Sequence, residues 1–178
     1  MLWEGRDGPQ LNRCKVWFCL KRLGTGAPGR LEPHAMTQPS FDPRMFMSFG
    51  KRAHAGRLGI EYHAHGPDWA ELKLPYDPAL IGDETSGVLA SGPILSMMDM
   101  ATSVGVWLKL GQFRAHATLD LRIDYLRPAR PGQTVYGRGE CYRITRAISF
   151  VRGQAHDGDP ADPLAHVAGT FMFTDVQP

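Results

Sequence analysis

The order of hydrophobic and polar positions changes period along the chain, and each period predicts an element. Met45, Phe46 and Phe49 recur at helical spacing behind Asp42 and Pro43, a capping residue and a first-turn proline, which predicts a short amphipathic helix over 42–55. Two strand-like runs follow, 58–64 and 68–74, joined by the turn residues His65-Gly66-Pro67 as a hairpin. In the second run Ala70, Leu72 and Leu74 share one side and Glu71 and Lys73 the other. Pro75 to Leu89 shows turn residues and no period, so a functional loop is expected there. From Gly92 to about Leu110 nearly every position is apolar, and Gly111 closes the run. A helix apolar almost all round must be wrapped by other elements. Ser96, Asp99 and Ser103, at i, i+3 and i+7, draw one narrow polar stripe along it.

Alternation is strict from His116 to Leu126. Ala117, Leu119, Leu121, Ile123 and Tyr125 fall on one face, and His116, Thr118, Asp120, Arg122 and Asp124 on the other. The turn Pro128-Ala-Arg-Pro-Gly132 leads to strands expected at about 133–145, 147–156 and 164–174, the last two divided by the Asp/Pro/Gly loop 157–163. The short links imply antiparallel pairing and an α+β domain.

The chain of 178 residues is sized for one domain, and its 43% hydrophobic content is enough for one core. Residues 1–40, rich in Gly, Pro and Arg and without a period, read as a flexible N-terminal extension to a domain over 41–178. A net charge of +2 gives no reason to expect nucleic acid. The apolar run 88–110 carries Asp99, Gly92 and Pro93, which argues against a membrane span. Cys14, Cys19 and Cys141 form neither a zinc motif nor a disulfide framework, and the first residues lack a secretory pattern, so a reducing cytoplasm is expected.

Several motifs suggest chemistry and fail on context. Gly24-Thr-Gly-Ala-Pro-Gly29 spells a dinucleotide fingerprint, but Arg30-Leu-Glu-Pro-His does not open the helix it requires. His63 and His65 lack a third ligand at a recognisable spacing, and the Asp157, Asp159, Asp162 loop lacks the closing Glu of a calcium loop. No metal and no cofactor is expected. A Gly-x-Ser-x-Gly elbow is also absent.

Asp99 stands out as the one charged residue between Glu84 and Lys109. A carboxylate on so apolar a helix must be hydrogen-bonded, face a cavity or shift its pKa upward, and acids so placed are often functional. Upstream, Ala90-Ser91-Gly92-Pro93 starts the helix, with Ser91 or Gly92 as the expected cap. Backbone N–H groups gathered there can stabilise a carbonyl oxygen as it gains negative charge.

These segments resemble the hotdog-fold acyl-CoA thioesterases of the phenylacetate-pathway (PaaI-like) type. That family's signature is Gly-x-x-His-Gly-Gly, six residues, then Asp or Glu on the central helix, with a later strand running into Pro-Ala and a nearby Gly. Gly87-Val-Leu-Ala90-Ser91-Gly92 and Asp99 keep the spacing, and Ala117 through Tyr125, Pro128, Ala129 and Gly132 match the strand, so the resemblance covers about residues 42–174. It implies an antiparallel sheet wrapped around a long central helix, with the site at the interface of a homodimer or a dimer of dimers. It further implies hydrolysis of an acyl-CoA to free acid and CoA, with Asp99 as base or nucleophile. Backbone donors at Ser91 and Gly92 would polarise the carbonyl, and Thr118 would assist water. Glu84 stands where relatives often have Asn, Arg146 where they hold the CoA phosphates, and Arg127 and Arg130 would add to that attraction. The motif His is Ala90 here and the following Gly is Ser91. That departure keeps open a non-catalytic acyl-CoA binding or sensing protein, and counts against a hotdog dehydratase, which would keep the His. Glu84 and Asp99, if brought together, would raise one pKa.

Overall fold

Packing a long apolar helix against a sheet requires one apolar sheet face, and the strands supply it. The computed structural model describes residues 41–49 and 53–175. Helix α1 (Pro43–Phe49) and the short α2 (His54–Arg57) precede the hairpin β1 (Glu61–His65) and β2 (Trp69–Leu74). A 3-10 turn (Pro78–Leu80), the two-stranded ribbon β3 (Ile81–Asp83) and β4 (Val88–Leu89), and α3 (Ser91–Leu110) come next, then β5 (His116–Tyr125), β6 (Val135–Ile144), β7 (Ile148–His156) and β8 (Ala165–Phe173). Six strands form one antiparallel sheet in the order β1-β2-β6-β7-β8-β5. The long helix α3 lies on that sheet, against β2, β6 and β7, and this is the hotdog arrangement.

Leu72, Leu74, Met97, Met98, Val135 and Leu164 are fully buried between helix and sheet. Towards the end of α3, Val106 joins Cys141, Val151, Phe171 and Phe173 in a second cluster. Burying each such large side chain contributes roughly 1.5–3 kcal/mol. Beyond it, α1 docks Phe46 edge-on against Trp107, ring centroids 4.7 Å apart.

The helix comes close because β6 offers glycine beneath it. A Cβ on Gly139 would stand 2.6 Å from the backbone carbon of Ala101, and one on Gly105 would stand 3.0 Å from the Gly139 carbonyl oxygen. Gly139→Ala is therefore expected to cost about 2–3 kcal/mol, the upper part of the overpacking range, because the clash is with backbone that cannot swing aside. A denaturant midpoint within error of the parent would refute this close fit.

Four expectations change. The predicted helix over 42–55 is divided into α1 and α2, with 50–52 outside the described residues. The loop over 75–89 contains the 3-10 turn and the β3–β4 ribbon, elements too short to show a period. The long helix begins at Ser91 with Ala90 as its cap, so neither Ser91 nor Gly92 fills that role. Most consequential, β5 is not one uniform alternation. Its pairing with β8 slips between Thr118 and Asp120, a bulge that absorbs Leu119. His116 and Thr118 face the helix before the slip, Leu121 and Ile123 pack on the core after it, and Asp120, Arg122 and Asp124 lie on the outer surface. The flexible extension expected over 1–40 and the glycine motif at 24–29 lie outside the described residues.

Candidate active site

Each member of the polar stripe on α3 meets one partner from another element. The Thr118 hydroxyl donates to Asp99 Oδ1 at 2.9 Å. Ser103 Oγ lies 2.7 Å from His116 Nε2, and Ser96 Oγ 3.2 Å from His54 Nε2. Asp99 is half-buried, so one carboxylate oxygen is held by Thr118 while the group keeps access to solvent. His116 is packed among the rings of Trp107, Phe171 and Phe173. That burial lowers its pKa from the ordinary histidine value, opposed by the Arg114 carbonyl and the Asp99 charge.

The start of α3 forms a second polar centre. Ala90 has no side-chain acceptor, and no side-chain cap is made, so the first-turn amides of Ser91 and Gly92 lack the usual capping oxygen. Both residues are exposed. The Tyr125 hydroxyl donates to the Ser91 carbonyl at 2.9 Å, and partial burial raises the pKa of this phenol. Beside them opens a cavity of about 360 Å³, walled by Val88, Ile94, Tyr125, Leu126, Ala129 and Leu164. Eight residues separate Ser91 from Asp99, about 12 Å along a helix.

The basic candidates divide between the two ends of the sheet. Arg127, at the cavity, makes a two-pronged ion pair with Asp157 at 2.8 and 2.7 Å and also reaches Asp162. Arg130 donates its backbone N–H to Asp157 and pairs through its exposed side chain with Asp162 at 3.1 Å. Arg146 is exposed in the β6–β7 turn, beside Arg114 and the far end of β8. Glu84 is exposed at the tip of the β3–β4 ribbon, and among the described residues it makes no hydrogen bond to Asp99. The structure thus brings Asp99 together with Thr118, sets Ser91 at the cavity with Arg127 and Gly92 next to it in the helix, and leaves Arg146 and Glu84 outside the cavity lining.

His116, Ser103, Tyr125 and His54 touch these centres and were not singled out as site residues from sequence. Two of them had a signal: Ser103 lies on the polar stripe, and His116 opens the clearest strand. The partner of Ser103 is 13 positions away and depends on register that local pattern does not contain. His54 bears no pattern at all. His63 faces Glu71 at 3.6 Å and Tyr136. Among the described residues no group of three or more His, Cys, Asp or Glu is placed to hold a metal, and no helix is long and apolar enough to cross a membrane.

Comparison with known proteins bears directly on this geometry. Residues 86–163, from the turn between β3 and β4 through α3 to the loop before β8, match the Thioesterase superfamily. The chain is 27% identical over 128 residues to the medium/long-chain acyl-CoA thioesterase YigI of Escherichia coli, covering 65% of this chain and 81% of that protein. A crystal structure of a Pseudomonas aeruginosa protein is similar at 43% identity and a TM-score of 0.64, over 72% of this chain and 94% of that one. The PaaI protein of E. coli, from the phenylacetic acid degradation operon, shares the fold at 16% identity and a TM-score of 0.60, over 72% and 94% of the two chains. The chain belongs to the thioesterase superfamily: it is a thioester hydrolase with the hotdog fold of the PaaI-like members.

Proposed function

We propose that this chain hydrolyses an acyl-CoA thioester to the free acid and CoA, with Asp99 as the group that activates water or attacks the carbonyl. The observation that carries the reading is the hydrogen bond from Thr118 to Asp99, on a long helix whose first amides lack a capping side chain. With Oδ1 occupied by the Thr118 hydroxyl, Oδ2 is left to take a proton from water. The water oxygen adds to the thioester carbon, and the resulting oxyanion is met by the Ser91 and Gly92 N–H groups. Collapse breaks the carbon–sulfur bond, and the proton on Asp99 goes to the departing thiolate. In the covalent variant the carboxylate itself attacks, CoA leaves, and water opens the mixed anhydride. Opening at the Asp99 carboxyl carbon leaves solvent oxygen in Asp99, so a single turnover in labelled water detects that route.

About 12 Å of helix between Ser91 and Asp99 is too far for one carbonyl to touch both. The reading therefore takes Asp99 from one copy and the helix start from a second, in a homodimer or a pair of such dimers. β5 is one edge of the sheet, and along it and just past its end Leu119, Tyr125 and Leu126 are 52, 45 and 57% exposed. Joining two β5 edges about a two-fold axis would cover these side chains and complete the site. Light scattering at micromolar concentration is expected to give at least a dimer; a monomer there refutes the shared site.

The exposed guanidinium groups of Arg130 and Arg146 are the cations proposed to meet the CoA phosphates, and Arg127 supports them by holding the turn. Glu84 fills the place of a polar substrate-facing residue at the ribbon tip. The same reading takes the enzyme to work in the cytoplasm. A panel of short, medium, long and aromatic acyl-CoAs, assayed for released thiol, tests the reading. Turnover of at least one is expected. Tight binding of an acyl-CoA with no thiol released would instead favour the sensing role suggested by Ala90.

A further inference from the structure

We propose that Tyr125 is a positioning residue for the hydrolysis: its hydroxyl holds the Ser91 carbonyl and thereby sets the Gly92 N–H, the other end of the same peptide group, as a donor to the oxyanion. The inference deepens the thioesterase reading and rests on it.

The first four N–H groups of a helix have no partner within it. In α3 that supply is cut to two. The Ala90 N–H donates to the Leu80 carbonyl at 2.9 Å, and Pro93, the third residue of the helix, has no N–H to give. Ser91 and Gly92 remain, and no side chain caps them. The space beside Gly92 is open: a Cβ built there would meet nothing within 4 Å outside its own helix backbone and chain neighbours. A donor group this sparse gains from having its direction fixed.

Tyr125 fixes it from the carbonyl side. A trans peptide is planar, with its C=O and N–H pointing opposite ways, so whatever holds the Ser91 carbonyl also aims the Gly92 N–H. The Tyr125 hydroxyl donates to that carbonyl at 2.9 Å. Inside a helix the same oxygen already serves the amide four residues on, so the tyrosine is a second donor to it and is not needed to satisfy it. A hydrogen bond accepted at the oxygen polarises the peptide group, and its N–H becomes the stronger donor. β5 thus reaches α3 twice: Thr118, ahead of the bulge, donates to Asp99, and Tyr125, the last residue of the strand, donates to Ser91. Tyr125 and Ser91 also stand together in the wall of the cavity of about 360 Å³. The edge pairing proposed above would take the ring further out of water, where such a bond is stronger.

The test uses the full chain as Tyr125→Phe, which keeps the ring in the cavity wall and removes only the hydroxyl. kcat is expected to fall about three- to tenfold with KM little changed, less than the loss of an oxyanion donor itself because the Gly92 N–H is still present. A bond that serves the fold alone would instead lower the melting temperature and leave kcat at the parent value. The second measurement needs no turnover. An acyl-CoA analogue with CH2 in place of the thioester sulfur presents a ketone that cannot be hydrolysed, and its carbonyl stretch reports the donors that meet it. In the parent that band should move to lower frequency on binding, and in Tyr125→Phe the shift should shrink. A parent-like shift in the variant overturns the proposal, as does an unchanged kcat or a loss confined to KM. A parent protein that binds the ketone without moving its band and releases no thiol from any acyl-CoA would instead refute the thioesterase reading.

Discussion

Asp99→Asn is expected to cut kcat/KM for the best acyl-CoA by ~10²–10⁴-fold, the usual contribution of a catalytic base or nucleophile. The substitution keeps the shape of the side chain, and its amide oxygen can still accept the Thr118 hydroxyl that now donates at 2.9 Å. What disappears is the negative charge proposed to take the water's proton or attack the carbonyl. Because Asp99 is half-buried and its main hydrogen bond survives, the melting temperature and the proposed dimer should change little. A structural carboxylate would give the opposite pattern, with a shifted melting temperature and turnover within a few-fold. Thiol release and thermal unfolding measured on one preparation separate the two, and an active D99N protein removes the proposed mechanism.

Asp157→Ala is expected to destabilise the fold by about 3–5 kcal/mol, the loss typical of removing one partner of a buried ion pair. The Asp157 side chain is 0% exposed and accepts from both terminal nitrogens of Arg127 and from the backbone N–H of Arg130. It ties the turn after β5 to the loop between β7 and β8. Removing it leaves the Arg127 guanidinium, 21% exposed, with backbone carbonyls and the half-exposed Asp162 carboxylate as its remaining partners among the described residues. The Arg127 guanidinium and the Arg130 amide hold the Asp157 carboxyl down at about 2, from an ordinary 3.8. A depressed folded-state pKa contributes stability that is complete above the unfolded value and fades as pH falls through the folded one. This contribution should thus be intact above about pH 4 and disappear towards pH 2. Urea midpoints measured from pH 7 to pH 2 check both statements: the parent should converge on the variant at the acid end. A neutral-pH loss below about 1 kcal/mol would refute a central role for this pair.

What could be read from sequence follows from how far each signal reaches along the chain. The apolar run of α3 and the alternation of the later strands are local and continuous, so those elements are where the pattern places them. Asp99 was legible because a lone charge on an apolar helix is anomalous by itself. The ribbon inside 75–89 was not, since two- and three-residue strands are shorter than any period. Nor was the commitment of Arg127, because its partner lies 30 residues on in another loop and the choice is made by tertiary packing. The helix start was misplaced by one residue because Ser91 is a good capping residue by type, whereas here it is the first helical one and Ala90 precedes it uncapped.

The slip at Leu119 decides what this protein can be, through parity. Counted in twos from His116, the inward positions of β5 would be His116, Thr118, Asp120, Arg122 and Asp124, three charges pressed against an apolar core. Counted the other way, Leu121, Ile123 and Tyr125 are inside, but Thr118 and His116 turn their backs on Asp99. No unbroken strand of this sequence can satisfy both halves. One unpaired residue changes odd to even midway and lets polar partners of α3 and a greasy wall occupy the same side of one ribbon. The strand with the most regular lettering in the chain therefore owes its reach to Asp99 to a place where its own backbone is irregular.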